Sequence, residues 1–398
     1  MTVKERIIAT IEGAPCDCLP FVPRLDNWYR ANKLSNTLPD RYKHASLREI
    51  ADDCGFGYHA LNPDFLDLST PDGDIHAGLG IYDLNLTPHR VKFHNVGINV
   101  TRDGKGSVTV EYDTPKGKIT TRTIFDERMR NDGATIPVTV ERAVKSIEDL
   151  PAMNFILQNA EVVPNYEKLA VFHNEFIGNR GLTGGYAAVF CSPFHYMCRE
   201  LMAIDTFYYA MAEDIEILEE FADSIDPFIN KIVSVAAESP SDVILCGSNF
   251  DSYVTAPSMF EEYMVPSLQK HSALIHENGK YLVCHTDGEN TGLLDKYLQC
   301  GFDIADSICP SPMTKRSLKE VYDTFDGKIT IWGGIPSTCM LEENMNQKMF
   351  EETVEMLIAS VGSGKHMIFS IADTLPPAAP FERVLYIQKR LEEFGPVK

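Results

Sequence analysis

The 398-residue chain has no apolar run that approaches the roughly 20 residues a membrane span requires. Its opening stretch, VKERIIATIEGAP, is amphipathic and lacks the uninterrupted apolar block and small-residue cleavage site of a secretion signal. The sequence therefore predicts a cytoplasmic protein with no membrane partner. Positive charge is also scarce. Against 57 Asp and Glu there are 36 Lys and Arg, a formal net charge of −21, which excludes the basic face that nucleic acid needs and disfavours a substrate bearing many carboxylates. A neutral small molecule or a docked protein fits that balance better. The ten cysteines have no framework spacing, and Cys246, Cys284 and Cys309 lie inside apolar runs, so they read as buried, reduced thiols. Cys16 and Cys18 lack the second nearby pair of a zinc motif. Short-period repeats, low-complexity tracts and the glycine spacing of a nucleotide-binding loop are all absent.

What is present is an ordinary globular balance, 44% hydrophobic and 23% charged. A length prior alone suggests two domains, but α/β barrels with insertions reach this size as one unit, and a single domain over residues 1–398 is the expectation. From about residue 200 apolar strands alternate with helical segments. The strands DVILCG, KYLVCH, FDIADS, KITIWGG and KHMIFSI are separated by amphipathic stretches, and Gly279, Gly301, Gly327 and Gly364 stand where each helix gives way to the next strand. That rhythm predicts an α/β fold of the (β/α)8 TIM-barrel class. Between about residues 91 and 126 it breaks, because β-formers there alternate with DG, GKG and PKG turn signals. An antiparallel hairpin insertion beside the barrel is expected, serving as a lid, a docking surface or a plain structural flap.

In such a barrel the carboxyl ends of the strands face the active site. His285 and Asp287 close the strand YLVCH, and Asp373 closes HMIFSI, so one imidazole and two carboxylates should converge as a metal site with a position left open for substrate. Read alone, HTDG equally suits a helix cap or a turn. Asn249 and Asp251 follow DVILCG and are the catalytic candidates, orienting substrate or supporting His285, with a loop or cap hydrogen bond as the alternative. Asp306, with Ser307, ends FDIADS in the same layer and is a substrate-binding candidate. Trp28, Tyr29 and Phe194 are expected as an aromatic wall for substrate, or else as packing.

Several longer segments resemble the uroporphyrinogen decarboxylase superfamily, and within it the cobalamin-dependent methyltransferase branch. They are PFVPRLDNWYRANK, YDTPKGKITTRT, FDSYVTAPSMFEEYMVPSLQKH, HTDGENTGLL, GFDIADSICPSP, ITIWGGIP and IADTLPPAAPFERV. The branch includes methylcobalamin:coenzyme M methyltransferases and corrinoid-dependent O-demethylating methyltransferases. Thiol-methylating members hold zinc on a His-x-Cys-Gly segment and on a later Cys before a Leu-Pro-Pro-like stretch. His285 matches that histidine, while Asp287 and Asp373 stand where the two cysteines would be. Gly288, Pro376, Pro377, Pro380 and Glu382 keep the frame.

The resemblance implies Zn2+ on His285, Asp287 and Asp373. Carboxylates are harder donors than thiolates, so the exchange favours a Lewis acid that polarises an ether oxygen. It also implies methyl transfer from a methoxylated, aromatic donor to a corrinoid. The chain lacks the Asp-x-His-x-x-Gly segment with which corrinoid modules ligate cobalt, so the cobalamin is expected on a separate partner protein, and a homo-oligomer is left open. Two alternatives stand beside this reading. One is a decarboxylase of the namesake type, for which Arg24, Asp26 and Arg30 remain but the full arginine-rich run does not. The other is a non-catalytic binding barrel in which Arg180, Arg199 or Arg383 would neutralise Asp287 and Asp373.

Overall fold

A computed structural model describes every residue except 62–72, 74 and 135. At its centre lies a six-stranded parallel sheet in simple sequential order: β7 (Gly184–Ala188), β8 (Val243–Ser248), β9 (Tyr281–His285), β10 (Ile304–Ile308), β11 (Thr330–Pro336) and β12 (Met367–Ala372). Helices alternate with these strands as the sequence rhythm requires. Ile215–Ala237 precedes β8, Val265–Glu277 precedes β9, and Phe381–Phe394 follows β12. The four glycines read as punctuation all have positive φ, from 69° to 80°, the backbone state a side chain resists.

Both faces of the sheet are buried, which is why its strands read as nearly continuous apolar runs. Side chains alternate between two environments, as the two-residue strand period requires. Leu282 and Cys284 of β9 pack toward the helices. Val283, Ile304, Trp332 and Ile368 meet instead in a separate inner cluster with Val22, Leu61, Leu182, Tyr186, Val243 and Leu245, and with Ile7 and Ile11 of the first helix.

Two extended segments continue the sheet at its edges. Phe21 pairs in parallel with Phe369 of β12, and Ala60 with Thr183 just before β7. The two segments also meet, through a 2.8 Å hydrogen bond from Gly57 N to Phe21 O. At Gly184 a side chain would collide with the Leu61 carbonyl at 1.9 Å, so glycine is what lets that segment lie against β7.

The hairpin region differs in detail from its expected bounds. β1 (His89–Phe93) does not join the hairpins but pairs antiparallel with β6 (Ala160–Pro164). The insertion proper is a four-stranded antiparallel sheet of β2 (Gly97–Arg102), β3 (Ser107–Thr114), β4 (Gly117–Ile124) and β5 (Val138–Glu141). β5 lies beyond the expected end at residue 126. It escapes sequence reading because it is only four residues long and follows a helical turn at Glu127–Asn131. No described helix is long and apolar enough to cross a membrane.

Candidate metal centre

His285 is the last residue of β9, two positions beyond Val283 and therefore on the same inward side. Asp306 stands two positions beyond Ile304 on β10, directly beside His285 in the parallel register. Their side chains form a 2.6 Å bond between His285 Nδ1 and Asp306 Oδ2. This contact fixes the imidazole so that Nε2 points into the open space above the sheet. There it lies 3.6 Å from Asp287 Oδ2 and 3.3 Å from Asp373 Oδ1. One ligand atom from each of the three residues fits within a 4.8 Å span. A tetrahedral ion with bonds of about 2.0–2.1 Å separates its ligand atoms by roughly 3.3 Å, close to the 3.3 and 3.6 Å from His285 Nε2 to the two carboxylates.

The donor set passes the chemical test as well. A metal-ligating histidine ordinarily gives its other ring nitrogen to a carboxylate, the place Asp306 occupies. Burial penalises a charged His285, but Asp287 and Asp306 outweigh it and raise its pKa well above the usual histidine value. The same pairing with His285, and with His59, keeps the fully buried Asp306 ionised despite the cost of desolvation.

Further residues surround this group. Asn249, with φ of 57°, projects from the end of β8 and places Nδ2 3.4 Å from Asp287 Oδ2. Arg24 donates from Nη1 to Asp373 Oδ1 at 2.7 Å and also pairs with Asp26. Thr374 bonds back to the Arg24 carbonyl and to Asp26, so the segment after β12 is stitched to the chain's beginning. Gly288 permits the loop after β9 to pass the Phe250 carbonyl, which an added Cβ would meet at 2.4 Å.

The open space is a cleft of about 380 Å³. Arg24, Asn249, His285 and Asp373 form its floor, Tyr82 and Tyr186 stand at its sides, and Ile136 and Val138 reach it from the antiparallel insertion. The strand that sequence reading missed thus supplies part of the cleft's roof.

Four expectations need correction. Asp251 is not brought to the cleft, because its two oxygens accept backbone N–H groups of Tyr253 and Glu289 and so shape a loop. Asp306 is not among the residues lining the cleft; it sits behind the imidazole and holds it. The expected aromatic wall is packing: Trp28 stacks on Phe381 and donates to the Ala379 carbonyl, Tyr29 bonds the Ala45 carbonyl, and Phe194 stacks on Tyr263 at 3.8 Å. Finally, the arginine beside Asp373 is Arg24 rather than one of the three proposed. Arg180 pairs with Asp52, and Arg383 donates to the Cys339 and Met345 carbonyls. Arg199 makes no ion pair with either carboxylate and touches Asp287 only through longer-range electrostatics. Tyr82, Tyr186 and Asn27, also on the cleft, carried no sequence signal.

A parallel α/β sheet with polar side chains gathered at its carboxyl ends defines a broad class of small-molecule-binding and catalytic proteins. Within that class the match is specific. Residues 129–394 fit the family model described as uroporphyrinogen decarboxylase (URO-D). The chain belongs to that family. It is also similar in fold to a methyltransferase from Methanosarcina mazei, with a TM-score of 0.54 and 14% identity over 99% of each chain. No protein of curated function matches it.

Proposed function

We propose that this protein is a methyltransferase that moves a methyl group from a methoxylated, aromatic donor to a reduced corrinoid carried by a partner protein. The observation that carries the reading is that His285, Asp287 and Asp373 each bring one ligand atom within 4.8 Å of the others, with the imidazole held from behind by Asp306. Family membership and the fold shared with a methyltransferase support it. The two extended segments around Phe21 and Ala60 are taken as the remaining staves of an eight-stranded barrel, supported by the inner cluster to which both contribute. The insertion is taken as part of the same working unit, since Ile136 and Val138 face the cleft.

In this reading His285, Asp287 and Asp373 hold a zinc ion, which supplies Lewis acidity toward an ether oxygen when bound. Asp306 keeps the proton of His285 on Nδ1, leaving the Nε2 lone pair for coordination. Asn249 fixes Asp287, and Arg24 offsets the negative charge of Asp373. Tyr82, Tyr186, Ile136 and Val138 flank the donor and limit water. In the transfer the methyl carbon–oxygen bond breaks with its electron pair on oxygen. The methyl carbon forms its new bond with the electron pair of the reduced cobalt.

The test is elemental analysis of protein purified without chelator, followed by transfer assays. About one zinc per chain, lost in His285→Ala, together with metal-dependent methylation of a reduced corrinoid protein, is expected. Turnover indifferent to stripping and restoring the metal overturns the proposal.

A further inference from the structure

On the far side of Asp306 from His285 stands a second imidazole. Asp306 uses Oδ2 for the 2.6 Å bond to His285 Nδ1, and its other oxygen, Oδ1, faces Nε2 of His59 at 3.7 Å. The His59 and Asp306 side chains are only 7% and 4% exposed, so this electrostatic contact lies where water screens it little. One carboxylate thus stands between two rings.

The place of His59 is fixed by its surroundings. Its backbone is pinned on both sides, since Tyr58 N donates to the Arg180 carbonyl and Gly184 N to the Ala60 carbonyl, each at 2.8 Å. Its ring meets the Trp332 indole edge-on, with centroids 5.7 Å apart and planes at 82°. Trp332 lies beside Asp306 in the parallel register of β10 and β11, and its Nε1 donates to the Val22 carbonyl at 3.2 Å. The indole therefore steadies the ring whose nitrogen addresses the neighbouring carboxylate. The χ2 of aspartate is a broad, soft torsion, so a carboxylate held at one oxygen alone can turn about that axis. A contact at each oxygen removes this freedom. His59 also acts toward the arginine end of the site: burial opposes ionisation of Asp26, but Arg24 and then His59 hold that carboxyl below its ordinary value. Arg24 in turn holds Asp373.

We propose that His59 is a positioning residue of the metal centre. By engaging Oδ1 of Asp306 it sets the plane of the carboxylate, and through it the direction in which His285 presents Nε2. The inference rests on reading His285, Asp287 and Asp373 as metal ligands, and it extends the ordered support of that group onto the extended segment around Ala60, which supplies no ligand.

The test uses the full chain labelled with isotopic nitrogen in its histidines. In the metal-free protein, long-range proton–nitrogen NMR correlations read the ring nitrogens of His285 through its carbon-bound protons, with the assignment made by His285→Gln. His59→Phe keeps a ring against Trp332 but removes the nitrogen that faces Asp306. His59→Leu makes the same deletion without a ring and replaces it if the Phe variant does not fold. His59→Gln returns an N–H toward Oδ1. The Nδ1 signal of His285 should move in His59→Phe and come back toward the wild-type position in His59→Gln. Competition with a chelating dye should show zinc held about fivefold more weakly by His59→Phe, a smaller loss than removing the Asp306 carboxylate itself, with recovery in His59→Gln. Circular dichroism verifies the fold of each variant. An unmoved Nδ1 signal, a zinc affinity unaltered in His59→Phe, or an equal fall in the Phe and Gln variants overturns the assignment. A moved signal in a protein that takes up no zinc sustains His59 as the residue that orients His285 while removing the metal reading.

Discussion

The carboxyl edge of the parallel sheet and the antiparallel insertion both face the same cleft, yet they are built on opposite principles. Along β9, β10 and β12 the supporting strands are buried, and the site side chains are held from behind: His285 by Asp306, Asp287 by Asn249, Asp373 by Arg24. β5, by contrast, is an edge strand with Val138 and Val140 exposed. Chemistry that depends on sub-ångström placement belongs on the first kind of support, and contact with variable ligand shapes belongs on the second.

The sharpest way to break that comparison is through stability. Trp332→Ala empties the inner cluster beneath the site, where the side chain is fully buried, and should cost about 3–5 kcal/mol. Val140→Ala on the exposed strand should stay within about 0.5 kcal/mol. Denaturant unfolding of the two variants compares them directly, and similar losses would erase the distinction. The next effect separates metal holding from substrate contact. Asp306→Asn should lower zinc affinity about 10–100-fold by removing the anion behind His285. Val138→Ser should leave zinc affinity unchanged and raise KM for the donor. Competition with a chelating dye reads the first, and steady-state kinetics the second.

The smallest effect concerns pH. In the metal-free chain Asp287 and Asp306 raise the pKa of His285, so near neutrality the imidazole carries a proton that a metal must displace. Zinc affinity should fall as pH falls, by at most about tenfold per unit for this group, with roughly one proton released on binding. Calorimetry in two buffers of different ionisation enthalpy measures that proton. The metal-free fold should show the opposite sign. The raised pKa stabilises it fully below about pH 6.5, and that contribution is lost as pH rises through the folded-state value.

The repeated strand–helix order was legible because strands buried on both faces leave unbroken apolar runs, bounded here by glycines with positive φ. His285, Asp287 and Asp373 were legible because each sits at or just beyond a strand end and because the resemblance supplied the site pattern. Composition could not separate a substrate-contacting aromatic from a packed one, and Trp28, Tyr29 and Phe194 all fell on the packed side. Asp251 and Asp306 share the same sequence cue, an acid near a strand end, yet one caps backbone amides and the other clamps an imidazole. That difference is decided by loop geometry, which side-chain chemistry does not encode. The pairing of Arg24 with Asp373 spans 349 residues, beyond the reach of any local pattern.

That same span bears on how the protein is made. Arg24 leaves the ribosome early, whereas Asp373 appears only after β12 has been synthesised, so the floor of the cleft cannot be completed on a nascent chain that is still short of its last strand. Until then the Arg24 guanidinium still pairs with Asp26 but has no Asp373 to meet. The cleft floor is therefore completed only once β12 has been made, and a chain released before residue 373 would leave the edge of the site open.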